Sequence, residues 1–434
     1  MKSATRPLGW YHGWNIVAAC IVSQVCANGL TYNSFSLFLR DWSAQLHAPI
    51  SQLQLTIFCM VTLSAFLSPW VGALSDKYPA RWLFASGLLG MAVFYLAISV
   101  TTAAWQLLAL YGLLAPVALT LCTAIPCNAL ISRWFVRRLG LALGLSSFGI
   151  GMAGVLLPPL IAAILPAVGW RMIWRGGGLL LAVIITPLVV LVLRNRPTER
   201  DGQSYLTGDG RAAKPHAHAA GAGQFSWRAV IARKNFWLLV AIYLPMMGLY
   251  GGCAQNLAPF AASHGLGQQS AGVLLSVLSL SHVVGTLVLG LLSDRFGNRL
   301  PFAGLAVVML LGATLLAFGG GLPIISVGSA LIGAGGGVFT LLGAATAVEF
   351  GAEGFGRAFG LAMLFLPVMA LSPFFVARMQ ESTGSYVPAL AVLSALVVMS
   401  GALSLLLRER GRGQPTAQAA LDGLKAAPGA GNVP

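Results

Sequence analysis

The sequence predicts an all-α membrane protein with twelve transmembrane helices in two pseudo-symmetric six-helix bundles. Three observations predict it. The 434 residues are 57% hydrophobic and only 9% charged, with a mean hydropathy of +0.81, too few charges to coat a globule of that length in water. The chain holds twelve runs of roughly 18 or more residues free of Asp, Glu, Lys and Arg, about what a ~30 Å hydrocarbon core demands of a helix. The pattern Gly72-Ala-Leu-Ser-Asp76-Lys77-Tyr78-Pro79-Ala-Arg81 returns as Gly290-Leu-Leu-Ser-Asp294-Arg295-Phe296-Gly297-Asn-Arg299, with the aspartates 218 positions apart (294 − 76), so one fold unit has been used twice. Lipid admits only helices or closed barrels, and the alternating pattern of a barrel is absent.

The predicted spans follow in order. Spans 1 to 6 cover Asn15 to Leu39, Ser51 to Leu74, Trp82 to Thr101, Trp105 to Ile131, Leu139 to Leu165 and Gly176 to Leu193. Spans 7 to 12 cover Phe236 to Ala262, Gln268 to Leu292, Pro301 to Phe318, Pro323 to Val348, Ala358 to Ala377 and Tyr386 to Leu407. Residues 1–193 and 235–410 are thus the two bundles. Residues 194–234, rich in Gly, Pro, His and Ala, read as a cytoplasmic linker, with His216 and His218 as solvated spacer. Residues 411–434 read as a disordered cytoplasmic tail.

Charge then orients the chain. The net charge of +15 invites a nucleic-acid partner, but placing the N-terminus inside leaves only Arg40, Arg171, Arg175 and Arg378 of the 26 Lys and Arg outside. That is the positive-inside bias of insertion, so no nucleic-acid partner is expected. Pro7 and Gly9 in the first ten residues argue against a cleavable signal peptide. The chain is expected to be a multi-pass protein of a bacterial cytoplasmic (inner) membrane with both termini cytoplasmic. All six cysteines fall inside spans without metal-ligand spacing, and are expected to be small buried side chains rather than a metal site.

Duplicated helical halves suggest a transporter with its site between them. Setting Trp14 on Trp237 superposes Tyr32-Asn33 of span 1 on Gln255-Asn256 of span 7, and both pairs are expected to face the centre. Setting Gly140 and Gly144 on Gly356 and Gly360 places Arg133 opposite Glu349. Among the span interiors only span 8 carries a group that titrates near neutral pH, His282, and an ionisable residue at membrane depth is by default functional. Ser279, His282 and Thr286 share one helical face, a polar strip that belongs toward the centre; the mirrored position of His282 in span 2 is Ser64. Gln24, Asn28, Thr31 and Tyr32 make a second stripe, expected to line a substrate path or to bond to neighbouring helices.

The twin turns resemble the loop motif of the major facilitator superfamily, G-x-L-x-D-[RK]-x-G-x-[RK]; the first copy departs at Pro79 and the second matches throughout. Within that superfamily, Gly13-Trp14-Asn15, Arg133-Trp134-Phe135, Gly169-Trp170-Arg171 and Arg194-Asn195-Arg196-Pro197 are similar to the monocarboxylate porter and oxalate/formate antiporter group. The resemblance implies a major facilitator fold, two bundles rocking about a central site, and a cytoplasmic gate clamped by Asp76, Lys77, Arg81, Asp294, Arg295 and Arg299, with Arg133 and Glu349 placed to join it. Porters of monocarboxylates typically carry an arginine in span 8 preceded four residues earlier by an acid, and here Thr286 and His282 stand at the best-aligning positions. A lysine that some members carry in span 1 falls at Tyr32, and the span 11 lysine of oxalate carriers has no counterpart.

The chain is therefore expected to be a secondary active transporter, not an enzyme, working as a monomer in the lipid bilayer without a cofactor. A small organic acid moved with a proton is the first expectation, with Asn28, Tyr32, Asn33, Gln255, Asn256, His282 and Thr286 around it and protonated His282 supplying the missing positive charge. A neutral or amphipathic substrate, imported or exported, is the alternative within transport. A transport-silent receptor or scaffold is the alternative outside it.

Overall fold

The computed structural model describes residues 11–135, 139–195 and 230–407, with the side chains of Asp76, residues 139–140 and residues 351–356 left out. The expected tail, His216, His218 and most of the linker lie outside the described residues.

Eleven stretches are long and apolar enough to cross a membrane among the described residues: His12–Asn33, Ile50–Ser75, Ala80–Ser99, Ala104–Trp134, Leu141–Val192, Lys234–Ser263, Gln268–Phe296, Arg299–Phe318, Gly321–Phe350, Arg357–Thr383 and Val387–Ser404. The fifth is two spans. Its 52 residues are more than twice what a bilayer needs. Gly169 turns the chain inside it with φ 73 and ψ 158, a conformation that glycine adopts without steric cost. The count of twelve spans therefore stands. Span 6 starts just after Gly169 rather than at Gly176, because Arg171 is consumed at the helix end. Its guanidinium lies 4.2 Å over the Trp170 ring and donates to the Thr101 carbonyl at 3.0 Å and to the Gln45 side chain.

The twin turns solve one bend in two ways. Gly297 takes a left-handed φ of 77 after span 8, whereas span 2 ends at Lys77 with Tyr78 extended and Pro79, at φ −59 and ψ 128, caps the start of span 3. Proline's ring fixes φ and replaces the bend that glycine's missing side chain permits. We call the membrane face carrying these turns the linker face and the opposite one the far face.

Span 1 is interrupted by a five-residue π-helical turn, Gly29–Asn33, and hinges at Ser34 into a second helix, Phe35–Leu46, that outruns the expected end at Leu39. Burial explains the extension. Phe35, Phe38 and Trp42 sink into an aromatic nest with Tyr111, Trp170 and Trp174, where each ring pair contributes about 0.5–1.5 kcal/mol beyond its area. Span 10 carries a 3-10 turn over its glycine run, Ala334–Gly337. The backbone then stays helical from Val338 to Met363 through the expected turn, and span 11 breaks before Leu366–Ala370 and Ser372–Thr383. Pro367 and Pro373 sit in the first turns of those two pieces, where no N–H is needed.

Packing repeats between the halves. Span 3 lies on spans 4 and 6 as span 9 lies on spans 10 and 12, and span 2 lies on span 4 as span 8 lies on span 10. The bundles meet along spans 2 and 11, along spans 5 and 8, and where Phe35–Leu46 lies on span 7. Cys20, Cys122, Cys127 and Cys253 are buried, Cys26 and Cys59 partly so, and all six are free.

Candidate functional site

The seam between spans 5 and 8 is built for close approach. A Cβ on Gly151 would meet Val283 at 2.3 Å, and one on Gly154 would meet the Ser279 hydroxyl at 2.3 Å. Glycine lets the backbones come this near. Ser276 adds a bond to the Val155 carbonyl at 2.7 Å. Ser279 therefore belongs to the seam, beside Asn33 of span 1, whose Oδ1 lies 3.0 Å from the same Cβ position.

His282 points the other way, into its own bundle. Its Nδ1 lies 2.9 Å from the Tyr250 hydroxyl of span 7, with the rings edge-on at 5.4 Å. The third wall is Gly336 in the span 10 3-10 turn, whose absent Cβ would stand 2.0 Å from Nδ1. The run Gly335-Gly336-Gly337 thus makes room for an imidazole and for Met309 and Leu289. The ring is half-buried among spans 7, 8 and 10 rather than turned out to acyl chains. In the neutral tautomer with its proton on Nε2, Nδ1 accepts from the Tyr250 hydroxyl; in the imidazolium Nδ1 donates instead. Thr286 donates to the His282 carbonyl at 2.8 Å, so its hydroxyl proton is spent on its own helix. The expected polar strip of span 8 resolves into three separate roles.

The span 1 stripe splits as well, because the π turn shifts the helical register by a residue. Gln24, 1% exposed, donates to the Ser146 carbonyl at 2.8 Å and hydroxyl at 3.0 Å, sewing span 1 to span 5. Thr31 bonds to Tyr95 at 3.2 Å. These two fasten helices together. Asn28 donates to the Gln24 carbonyl at 3.0 Å and Asn33 to the Asn28 carbonyl at 3.4 Å, both half-buried. Tyr32 is also half-buried, and Gln255 of span 7 reaches its carbonyl at 3.5 Å. Span 7 therefore carries both the Tyr250 partner of His282 and the Gln255 amide that meets Tyr32 of the other bundle.

Gln255 and Asn256 lie deeper in the seam than the sequence suggested. Gln54 of span 2, wholly buried, donates to the Gln255 carbonyl at 2.9 Å and to Asn256 Oδ1 at 3.2 Å. Asn256 donates to the Gly252 and Pro373 carbonyls at 2.9 and 3.0 Å. Nearer the far face, Glu381 of span 11 accepts from the Ser51 amide at 2.8 Å and hydroxyl at 2.6 Å, and Gln268 donates to the Leu37 carbonyl at 3.0 Å. Gln54, Ser51 and Glu381 were missed in the sequence; the signal for Gln54 is the one that exposed Gln24, an amide inside an apolar run that needs partners.

Among the described residues, the side-chain hydrogen bonds that join the two bundles lie in the far half. On the linker half, a Cβ on Gly72, Gly144 or Gly360 would meet nothing within 4 Å. Of the expected gate, Arg133 donates to the Ser75 carbonyl at 2.6 Å, next to Asp76, whose side chain lies outside the described residues. Glu349 pairs with Arg233, the residue that caps the start of span 7, at 3.9 Å, and Arg233 also donates to the Glu349 carbonyl at 3.1 Å. Lys77, Arg81, Asp294, Arg295 and Arg299 are exposed around the two turns, with Arg295 over Phe296 at 5.5 Å.

The Major Facilitator Superfamily profile matches residues 21–372 and 252–427. Mouse "Monocarboxylate transporter 12" is 24% identical over 418 residues, covering 91% of this chain and 85% of that protein. Mouse "Monocarboxylate transporter 11" is 28% identical over 416 residues, covering 90% and 86%. Among solved structures, a bacterial homolog of the human lysosomal transporter Spinster, inward-facing and unoccupied, superposes with a TM-score of 0.71 at 15% identity, covering 92% of this chain and 97% of that one.

Proposed function

This chain belongs to the Major Facilitator Superfamily and is a multi-pass membrane transporter, and from that premise we propose that it moves a small, monocarboxylate-like organic acid across the cytoplasmic membrane together with a proton, by alternating access. The single observation that carries the reading is His282, held against Gly336 and bonded to Tyr250 of span 7, the helix whose Gln255 meets Tyr32 of the other bundle. The positive-inside bias makes the linker face cytoplasmic, so the bonds of the far half support an inward-facing arrangement.

In this mechanism a proton and an anion enter together. An isolated carboxylate in an apolar interior costs tens of kcal/mol of solvation. A carboxylate beside an imidazolium carries no net charge across. Protonation reverses the Nδ1 bond to Tyr250, and the phenol becomes free to donate to the substrate. Asn28 and Asn33 offer amide oxygens and residual N–H groups to the rest of a small ligand. Release toward the linker face returns the ring to its neutral form and closes the cycle through rocking of the bundles. A neutral substrate is the second reading, favoured by Tyr32 and Thr286 standing where carboxylate porters of the resembling group carry charge.

Full-length protein in liposomes, offered labelled mono- and dicarboxylates and neutral solutes with and without an acid exterior, tests both. Monocarboxylate accumulation that needs the pH gradient supports the first reading. Gradient-independent movement of a neutral solute supports the second, and movement of neither class rejects both.

A further inference from the structure

We propose that Glu381 and Gln54 are positioning residues that clasp the far face shut by serving, from two successive turns, the start of span 2. Span 2 starts after Pro49, an N-cap residue that provides no side-chain acceptor, so the first amides of the helix have no local partner. Glu381 provides one from the other bundle, accepting from both the amide and the hydroxyl of Ser51 at 2.8 and 2.6 Å. A carboxylate at a helix N-terminus also meets the positive end of the helix dipole. Arg378, one turn earlier on span 11, stands 3.7 Å from the same carboxylate and helps to aim it.

One turn further along span 2, Gln54 repeats the connection to span 7 through the Gln255 carbonyl and Asn256 Oδ1, and Asn256 passes it to the Pro373 carbonyl of span 11. The Gln54 amide is wholly buried and its Oε1 has no partner among the described residues, so its place is fixed by the opposite bundle rather than by its own. Gln255 ends the chain at Tyr32, beside the site. Separation of the far face therefore removes the cap of span 2 and breaks both Gln54 bonds in one movement. Substrate contact at Tyr32 and closure of the far face are mechanically joined.

The proposal rests on the alternating-access reading, and hydrogen–deuterium exchange of the full chain in nanodiscs separates the two. In Glu381→Gln and Gln54→Ala, peptides over 36–58, 255–275 and 375–390 are expected to exchange about five- to tenfold faster, the scale of one lost charge-assisted or buried hydrogen bond. Peptides over 70–84 and 290–305 on the linker face are expected to slow in the same samples. That reciprocity is what a merely structural cap would not produce. Ser51→Ala, which keeps the amide and loses the hydroxyl, is the milder variant if the others fail to fold, and it should show the same pattern at smaller amplitude. Faster exchange confined to the far ends, with the linker face unchanged, overturns the clasp. If acid and a transported acid shift the two faces reciprocally while these variants do not, the clasp alone is wrong; if nothing shifts them reciprocally, alternating access falls with it.

Discussion

Gly336→Ala tests the seating of the imidazole most sharply. The new methyl would stand 2.0, 2.4 and 2.5 Å from Nδ1, Cγ and Cε1 of His282, well inside van der Waals contact. The ring has to swing away, and the 2.9 Å bond to Tyr250 breaks. Overpacking of this kind costs about 1–3 kcal/mol and the lost hydrogen bond about 0.5–1.5 kcal/mol. Alanine's better helix propensity returns at most ~1 kcal/mol, leaving a net loss of roughly 0.5–3.5 kcal/mol when it is returned in full. Thermal unfolding of the purified protein reads the loss, and uptake against pH reads the displaced ring. Gly304→Ala is the control, since a Cβ there meets nothing within 4 Å. If Gly336→Ala matches that control in melting temperature and in pH profile, the imidazole is not held where the mechanism needs it.

Three further substitutions separate scaffold from machinery. Gln24→Ala removes both bonds to Ser146 and should cost about 1–3 kcal/mol of stability with little change in apparent affinity; a large affinity change at wild-type stability would return Gln24 to the substrate path. Gly144→Val points into open space in this state, so it should leave the melting temperature near wild type yet slow turnover, because the linker face must close upon it; unchanged turnover contradicts that. Asp294→Asn should lower the transport rate more than the affinity, since exposed pairs contribute only ~0–1 kcal/mol each and act as a set; equal expression with unaltered rate counts against a gate.

Much of the architecture was legible because lipid simplifies the code. Charge-free runs gave spans 2, 3, 4, 8 and 9 nearly to their ends, and the repeated Asp76 and Asp294 turns gave the two halves. Span 6 began early because the Arg171 guanidinium is solvated locally by Trp170, Gln45 and the Thr101 carbonyl, which no count of charges can foresee. Side-chain direction was less legible than depth. His282 stood out as the ionisable group of span 8, but Ser279 and Thr286 share its face only on an ideal helix and find different partners in three dimensions. The π turn at Gly29–Asn33 leaves no mark in hydropathy, yet it sets the directions of Thr31 and Tyr32, so that Thr31 binds Tyr95 while the Tyr32 carbonyl meets Gln255. Glu381 looked like an ordinary residue at a span end until its partner, an uncapped helix 330 positions away, was in place.

The most direct measurement records two fluxes in one vesicle: entry of a labelled monocarboxylate, and entry of protons by an entrapped pH dye, for wild type and His282→Gln. One proton is expected to enter with each anion in the wild type, and the variant is expected either not to transport or to transport without carrying protons. Anion uptake without proton entry in the wild type, or the same proton coupling in both proteins, would contradict that expectation.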